Sequence, residues 1–144
     1  MNIKHATFTL ERTYPATPAR VFAAWSDQSA KARWLAGPGS ELELDFRVGG
    51  KEIIRGRHGD GPQLTFETHY DDIVPDQRIV FTSTMTADKT LTTVSITTVE
   101  FVADGDATKL VLAQQGTYLD GHEEPSWREQ GTSSQLDALG AEFS

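Results

Sequence analysis

Polar and apolar residues alternate with a period of two over most of this chain, and the period changes in two places. Residues 3–14 set Phe8, Leu10 and Tyr14 among Thr, Glu and Arg, the pattern of a half-buried strand, and Pro15 ends it. Thr17-Pro18 then reads as a helix N-cap followed by proline in the first turn. Val21, Phe22 and Trp25 fall on one face of the helix so started. Asp27 is placed to cap a second short helix with Ala30, Trp34 and Leu35 on its apolar side, and Gly37-Pro38-Gly39 stops it.

From Glu41 the period of two returns. Leu42, Leu44 and Phe46 alternate with Glu41, Glu43 and Asp45 up to Arg47, and Gly49-Gly50 turns the chain into a second strand over 51–57. A polar Gly-rich turn at 58–62 leads to strands over 64–74, 78–85, 90–102 and 108–117. Pro75-Asp76, Asp88-Lys89 and Asp104-Gly105-Asp106 separate them. The last segment returns to helical spacing. Pro125 suits a first turn, Ser126-x-x-Glu129 fits a capping box, and Leu136, Leu139 and Phe143 share a face with Trp127 and Gly131.

One strand, two short helices, about six more antiparallel strands and a long C-terminal helix make an α+β fold of one domain, residues 1–144. Only the last helix is long enough to cover the sheet. A curved sheet wrapped on a single helix leaves space between them, and such concave apolar spaces take small ligands.

Composition narrows the chemistry. The charge is 13 − 21 = −8, which repels phosphate backbones and argues against nucleic acid as a partner. With no Cys there is no thiol nucleophile, thiolate metal site or disulfide. No apolar run reaches the ~20 residues of a membrane helix, and the N-terminus lacks the apolar core of a secretory signal, so the expected location is cytoplasmic. No phosphate-binding glycine loop, nucleophile elbow or His-Glu-x-x-His spacing occurs, so no cofactor and no metal is expected.

The run Ala16-Thr17-Pro18-Ala19-Arg20-Val21-Phe22-Ala23-Ala24-Trp25, then Trp34, the Gly49-Gly50 hairpin, Asp72-Ile73-Val74-Pro75-Asp76-Gln77-Arg78-Ile79-Val80 and Asp106-Ala107-Thr108-Lys109-Leu110 follow one another in a telling order. In this the chain resembles the START-like (SRPBCC) superfamily, and within it the branch named for the C-terminal domain of the heat-shock-protein ATPase activator. The resemblance covers nearly the whole chain. It implies a helix-grip fold, with a curved antiparallel sheet of about six to seven strands wrapped on the C-terminal helix around an internal cavity. The superfamily spans lipid carriers, hormone receptors, cyclases and co-chaperone domains, so fold alone does not fix function. One departure stands out. Many members carry Gly-Trp in the last helix, whereas this chain has Gly131-Thr132, with a tryptophan at 127 instead.

The resemblance implies a small apolar or aromatic ligand between sheet and last helix, with Trp34, Phe66, Tyr70, Phe81 and Trp127 as its apolar contacts. Gln114 and Gln115 are consecutive amides, so one of them faces inward and needs a partner; Gln115 is assigned that place. In similar proteins the second residue after the hairpin glycines is often an inward aromatic. Here it is Glu52, a polar selector or an acid/base group if buried, unless a cation pairs with it. His69 shares a strand face with Glu67 and Asp71 and is the other acid/base candidate, against a plain solvated face. His122-Glu123-Glu124 reads as an exposed acidic loop. Beside ligand binding stand two other readings. One is a chaperone or other protein-interaction module meeting a basic patch. The other is a cyclase- or hydratase-like enzyme using Glu52 or His69. The Thr-rich strands between 82 and 98 offer a face to water or to a second copy in a homodimer.

Overall fold

A computed structural model describes residues 2–144. The chain runs β1 (Ile3–Tyr14), α1 (Pro18–Ser26), α2 (Gln28–Lys31), a π-helical turn (Ala32–Ala36), β2 (Glu41–Leu44) and β3 (Lys51–Arg57). It continues through β4 (Gln63–Val74), β5 (Arg78–Ala87), β6 (Thr90–Asp104), β7 (Ala107–Leu119) and α3 (Pro125–Gly140), ending in a 3₁₀ turn at Ala141–Phe143. The seven strands form one antiparallel sheet in the order β1-β7-β6-β5-β4-β3-β2. Neighbours in the sheet are neighbours in sequence except β1, which joins β7. This is the helix-grip α+β architecture.

The early helices start as their caps dictate. The Thr17 hydroxyl accepts from the Arg20 N–H, and the Asp27 carboxylate accepts from the Ala30 N–H at 2.8 Å. Gly37, at φ 77°, ends the second helical stretch in the left-handed region that glycine tolerates. Two local expectations are corrected. β2 stops at Leu44 rather than Arg47, because Asp45 and Arg47 are drawn into the turn, where Gly50 N–H donates to Arg47 O. The Ser126–Glu129 capping box does not form either. α3 starts at Pro125 with Glu124 as its cap residue, so Ser126 already lies inside the first turn.

The core lies between the concave sheet face and the helices. Val21, Ile79, Val99, Leu110 and Leu139 are fully buried there, and Phe22, Trp25 and Phe101 interlock edge to face. The C-terminal part of α3 is clamped to β1. Tyr14 Oη donates to Leu136 O at 2.7 Å, and Arg12 donates to Asp137 Oδ1 and Ser133 Oγ. Gln135 ties α3 to the π turn by donating to Leu35 O at 3.1 Å. The cavity lies beneath α3, which lines it from Trp127 to Leu136. Among the described residues no helix is long and apolar enough to cross a membrane.

Candidate functional site

The cavity holds about 420 Å³ between β3–β7, α3 and the π turn. Trp34, Leu35, Ile54, Phe66, Phe81 and Leu112 give it apolar walls. Alternation on β4 turns Phe66, Thr68 and Tyr70 inward together, as the sequence pattern requires. Trp34 is held by its indole N–H, which donates to Ala24 O at 2.9 Å, and its ring meets Trp25 edge to face. Trp127 lines the mouth and is 59% exposed.

Two charged clusters are built into these walls. The first is Lys31, Glu52 and Tyr70. Glu52 is 4% exposed and Lys31 1%. The β2–β3 turn sets Glu52 in place. Gly50 packs so closely that a Cβ there would fall 2.2 Å from Asp45 O. Backbone bonds from Gly49 N to Tyr70 O and from Tyr70 N to Gly50 O then lock the turn against β4. Glu52 pairs across the ladder with Thr68, so Tyr70 is its diagonal neighbour. The Tyr70 hydroxyl donates to Glu52 Oε1 at 2.9 Å. Lys31, the last residue of α2, donates to the same Oε1 at 2.5 Å and to Tyr70 Oη at 2.8 Å. Its ammonium also sits within 6 Å of the Trp25, Phe46 and Tyr70 ring centres. Burial pushes the Lys31 ammonium below the usual lysine range, and the Glu52 carboxylate pulls it part of the way back. Burial, and then the adjacent carboxylate, hold the Tyr70 phenol far above its ordinary value.

The second cluster is built on Arg128 of α3. Its Nε and Nη2 donate to Glu123 Oε2 and Oε1 at 2.9 and 2.8 Å, a bidentate fork. Its Nη1 donates to Gln114 Oε1 at 3.2 Å, and Gln114 in turn donates to Thr97 Oγ1. Thr93 adds a third bond to Glu123 at 2.6 Å. The guanidinium lies 5.2 Å from the centre of the Phe66 ring.

Several expectations find their places and others move. Trp34, Phe66, Phe81, Trp127 and Glu52 line the cavity, and Tyr70 stands behind Glu52. Gln115 does not reach it. The phase of β7 is set by Leu110 and Leu112, which face inward, so Gln114 is the buried amide and Gln115 is exposed on the outer face. His69 likewise lies on the outer face, 3.2 Å from Glu67. Among the described residues no group of three metal-ligating side chains forms there or elsewhere. Glu123 belongs to a buried ion pair, not to an exposed loop. The sequence pattern does not point to Lys31 or Arg128 as site residues, although each leaves a trace. Lys31 stands three residues before Trp34, and Arg128 opens an i, i+4, i+8 stripe with Thr132 and Leu136.

Residues 15–144 match the family described as Activator of Hsp90 ATPase homolog 1-like protein. Among solved structures, the Mll3558 protein from Rhizobium loti is 45% identical, with 99% of each chain covered and a TM-score of 0.92. A protein from Rhizobium leguminosarum is 39% identical over 99% of this chain and 96% of its own, with a TM-score of 0.93. The CV1439 protein from Chromobacterium violaceum is 28% identical over 95% and 96%, with a TM-score of 0.81. No curated protein matches this chain.

Proposed function

The chain belongs to the Activator of Hsp90 ATPase homolog 1-like family, and we propose that it works through its cavity, as a binding domain for an apolar or aromatic small molecule held between the sheet and α3. The observation that carries this reading is the cavity itself. Its volume of about 420 Å³ falls in the range of small-molecule sites, and its apolar walls converge on a few buried polar groups. Keeping four charged side chains buried in two pairs is costly against an apolar core of similar volume, which favours a use for them beyond stability.

Native mass spectrometry of freshly purified protein, followed by denaturation and extraction, tests the reading. A small molecule held near one per chain and released on denaturation is expected. An empty protein that also gains no thermal stability from apolar aromatic compounds would count against it. A second reading, docking onto a chaperone, draws on the family's description and on the net charge of −8. It predicts association that weakens steeply with salt. The acid/base role considered for His69 finds no support in its outer-face position, remote from the cavity.

A further inference from the structure

Within the cavity, the two carboxylates are used differently. Both Lys31 and Tyr70 bond to one oxygen of Glu52, Oε1. Among the described residues no donor reaches Oε2, although the residue is only 4% exposed and lines the cavity. That oxygen is not sealed in protein but opens on the cavity, and a carboxylate oxygen with vacant lone pairs takes a hydrogen-bond donor. At the other cluster, Glu123 has both oxygens taken by Arg128 and one of them again by Thr93. The cations are committed as well: Lys31 is paired with Glu52 and Arg128 with Glu123. Among the described residues, the buried cations of the wall are thus both paired, and the remaining arginine, Arg57, is exposed at the rim, where it donates to Gly61 O.

We propose that the cavity selects a neutral apolar or aromatic molecule carrying a hydroxyl or N–H donor, which it directs to Glu52 Oε2, and that it rejects carboxylates of the same shape. This rests on the ligand-binding reading above and names the chemical class that the site takes. A neutral donor completes the shell of Glu52 with a charge-assisted hydrogen bond. An anion at the depth of Glu52 would meet the vacant carboxylate oxygen, with the two buried cations already paired and Arg57 out at the rim, so it meets repulsion and no free partner there.

The test is calorimetric titration at neutral pH with naphthol, methylnaphthalene and naphthoate substituted at the same ring position, so that shape is held and only the polar group varies. Naphthol is expected to bind at least about tenfold more tightly than methylnaphthalene, the gain of one hydrogen bond to a charged acceptor. Naphthoate is expected to bind more weakly than either. Equal affinities for naphthol and methylnaphthalene, or a preference for naphthoate, overturn the inference while leaving ligand binding intact. Failure of all three to bind overturns both. Glu52→Gln gives an independent check. Its amide oxygen can still accept from Lys31, which turns an N–H₂ donor toward the cavity. The preference for naphthol should then collapse and acetylnaphthalene, an acceptor of similar shape, should gain. A variant that keeps the naphthol preference overturns the assignment to Glu52. Should Glu52→Gln not fold, the Lys31→Met, Glu52→Gln double variant removes both charges together; Tyr70 still donates to the amide oxygen, so the same loss of the naphthol preference is expected.

Discussion

The two ends of the cavity use the same ingredients, one cation and one carboxylate, and arrive at different outcomes. Arg128 presents a planar fork and saturates both oxygens of Glu123, with Gln114 and Thr93 completing the network. Lys31 presents a point charge to a single oxygen of Glu52, and Tyr70 doubles up on that same oxygen. A guanidinium consumes a carboxylate's hydrogen-bonding capacity; an ammonium neutralises the charge and leaves capacity over. The Arg128 end therefore reads as a strut that holds the start of α3 above the sheet, and the Lys31 end as the place where the wall can still accept something. The more deeply buried pair is also the less complete one.

The largest expected effect follows from that depth. Lys31→Met leaves Glu52 charged, buried and held only by Tyr70, which should lower unfolding stability by about 3–5 kcal/mol in urea titrations. Arg128→Met should cost less, because Glu123 keeps Thr93 and lies nearer the surface. Replacing Lys31 and Glu52 together by Met and Gln should recover part of the loss. Equal losses at Lys31 and Arg128, or a larger one at Arg128, would break the comparison.

Tyr70 and Lys31 couple the Lys31 end to pH in opposite senses. The Tyr70 phenol is held above the ordinary value of 10.0, so above pH 10 the folded protein keeps a proton that the unfolded chain releases. The stability it contributes is full below that value and falls as pH rises, by up to about 1.4 kcal/mol per pH unit. Lys31 acts in the opposite sense. Its lowered value means that the unfolded chain binds more protons below 10.5, so its contribution rises with pH toward that point. Tyr70→Phe should flatten the alkaline loss of stability between pH 10 and 11. A profile unchanged by the substitution would remove Tyr70 from the cause, leaving Tyr14 and Tyr118, both also raised by burial, to account for it.

How much of this was legible in the sequence differs between frame and site. The frame followed from local rules. Thr17 and Asp27 cap where they were expected to, period-two runs became strands, and Asp104-Gly105-Asp106 turned β6 into β7. The site followed only in its apolar part. Trp34, Phe66 and Phe81 are large apolar residues in periodic positions, and period fixes their side. The charged residues escaped because Lys, Arg and Glu are expected in water, and only three-dimensional pairing makes their burial tolerable. The pairs lie 21 and 5 residues apart in sequence, with no motif joining them. Of the four charged residues in the two clusters, Glu52 alone is a site candidate on sequence grounds, because it follows the hairpin glycines.

Gln114 and Gln115 offer a smaller test of the same network. Gln114→Leu removes the bridge between Thr97 and Arg128 and leaves a buried guanidinium nitrogen short of an acceptor, a loss of about 1–3 kcal/mol. Gln115→Leu changes an exposed outer-face position and should stay within about 0.5 kcal/mol. Reversal of that order in thermal unfolding would mean that β7 is out of phase with the register that turns Leu110 and Leu112 inward.

The mouth is where stability and binding should part company. Trp127 sits at the start of α3, more than half exposed, and it lines the cavity without being packed into the core. Trp127→Ala should move stability by no more than about 0.5 kcal/mol. If a ligand lies beneath it, the same substitution removes an apolar wall from that ligand and should weaken naphthol binding several-fold. Because the tryptophan side chain makes no hydrogen bond to Glu52 or Glu123, the ratio of naphthol to methylnaphthalene affinity should stay as in the parent protein. A change in that ratio would place the donor-selecting group near α3, at the saturated end of the cavity, and would reverse the roles assigned to the two clusters.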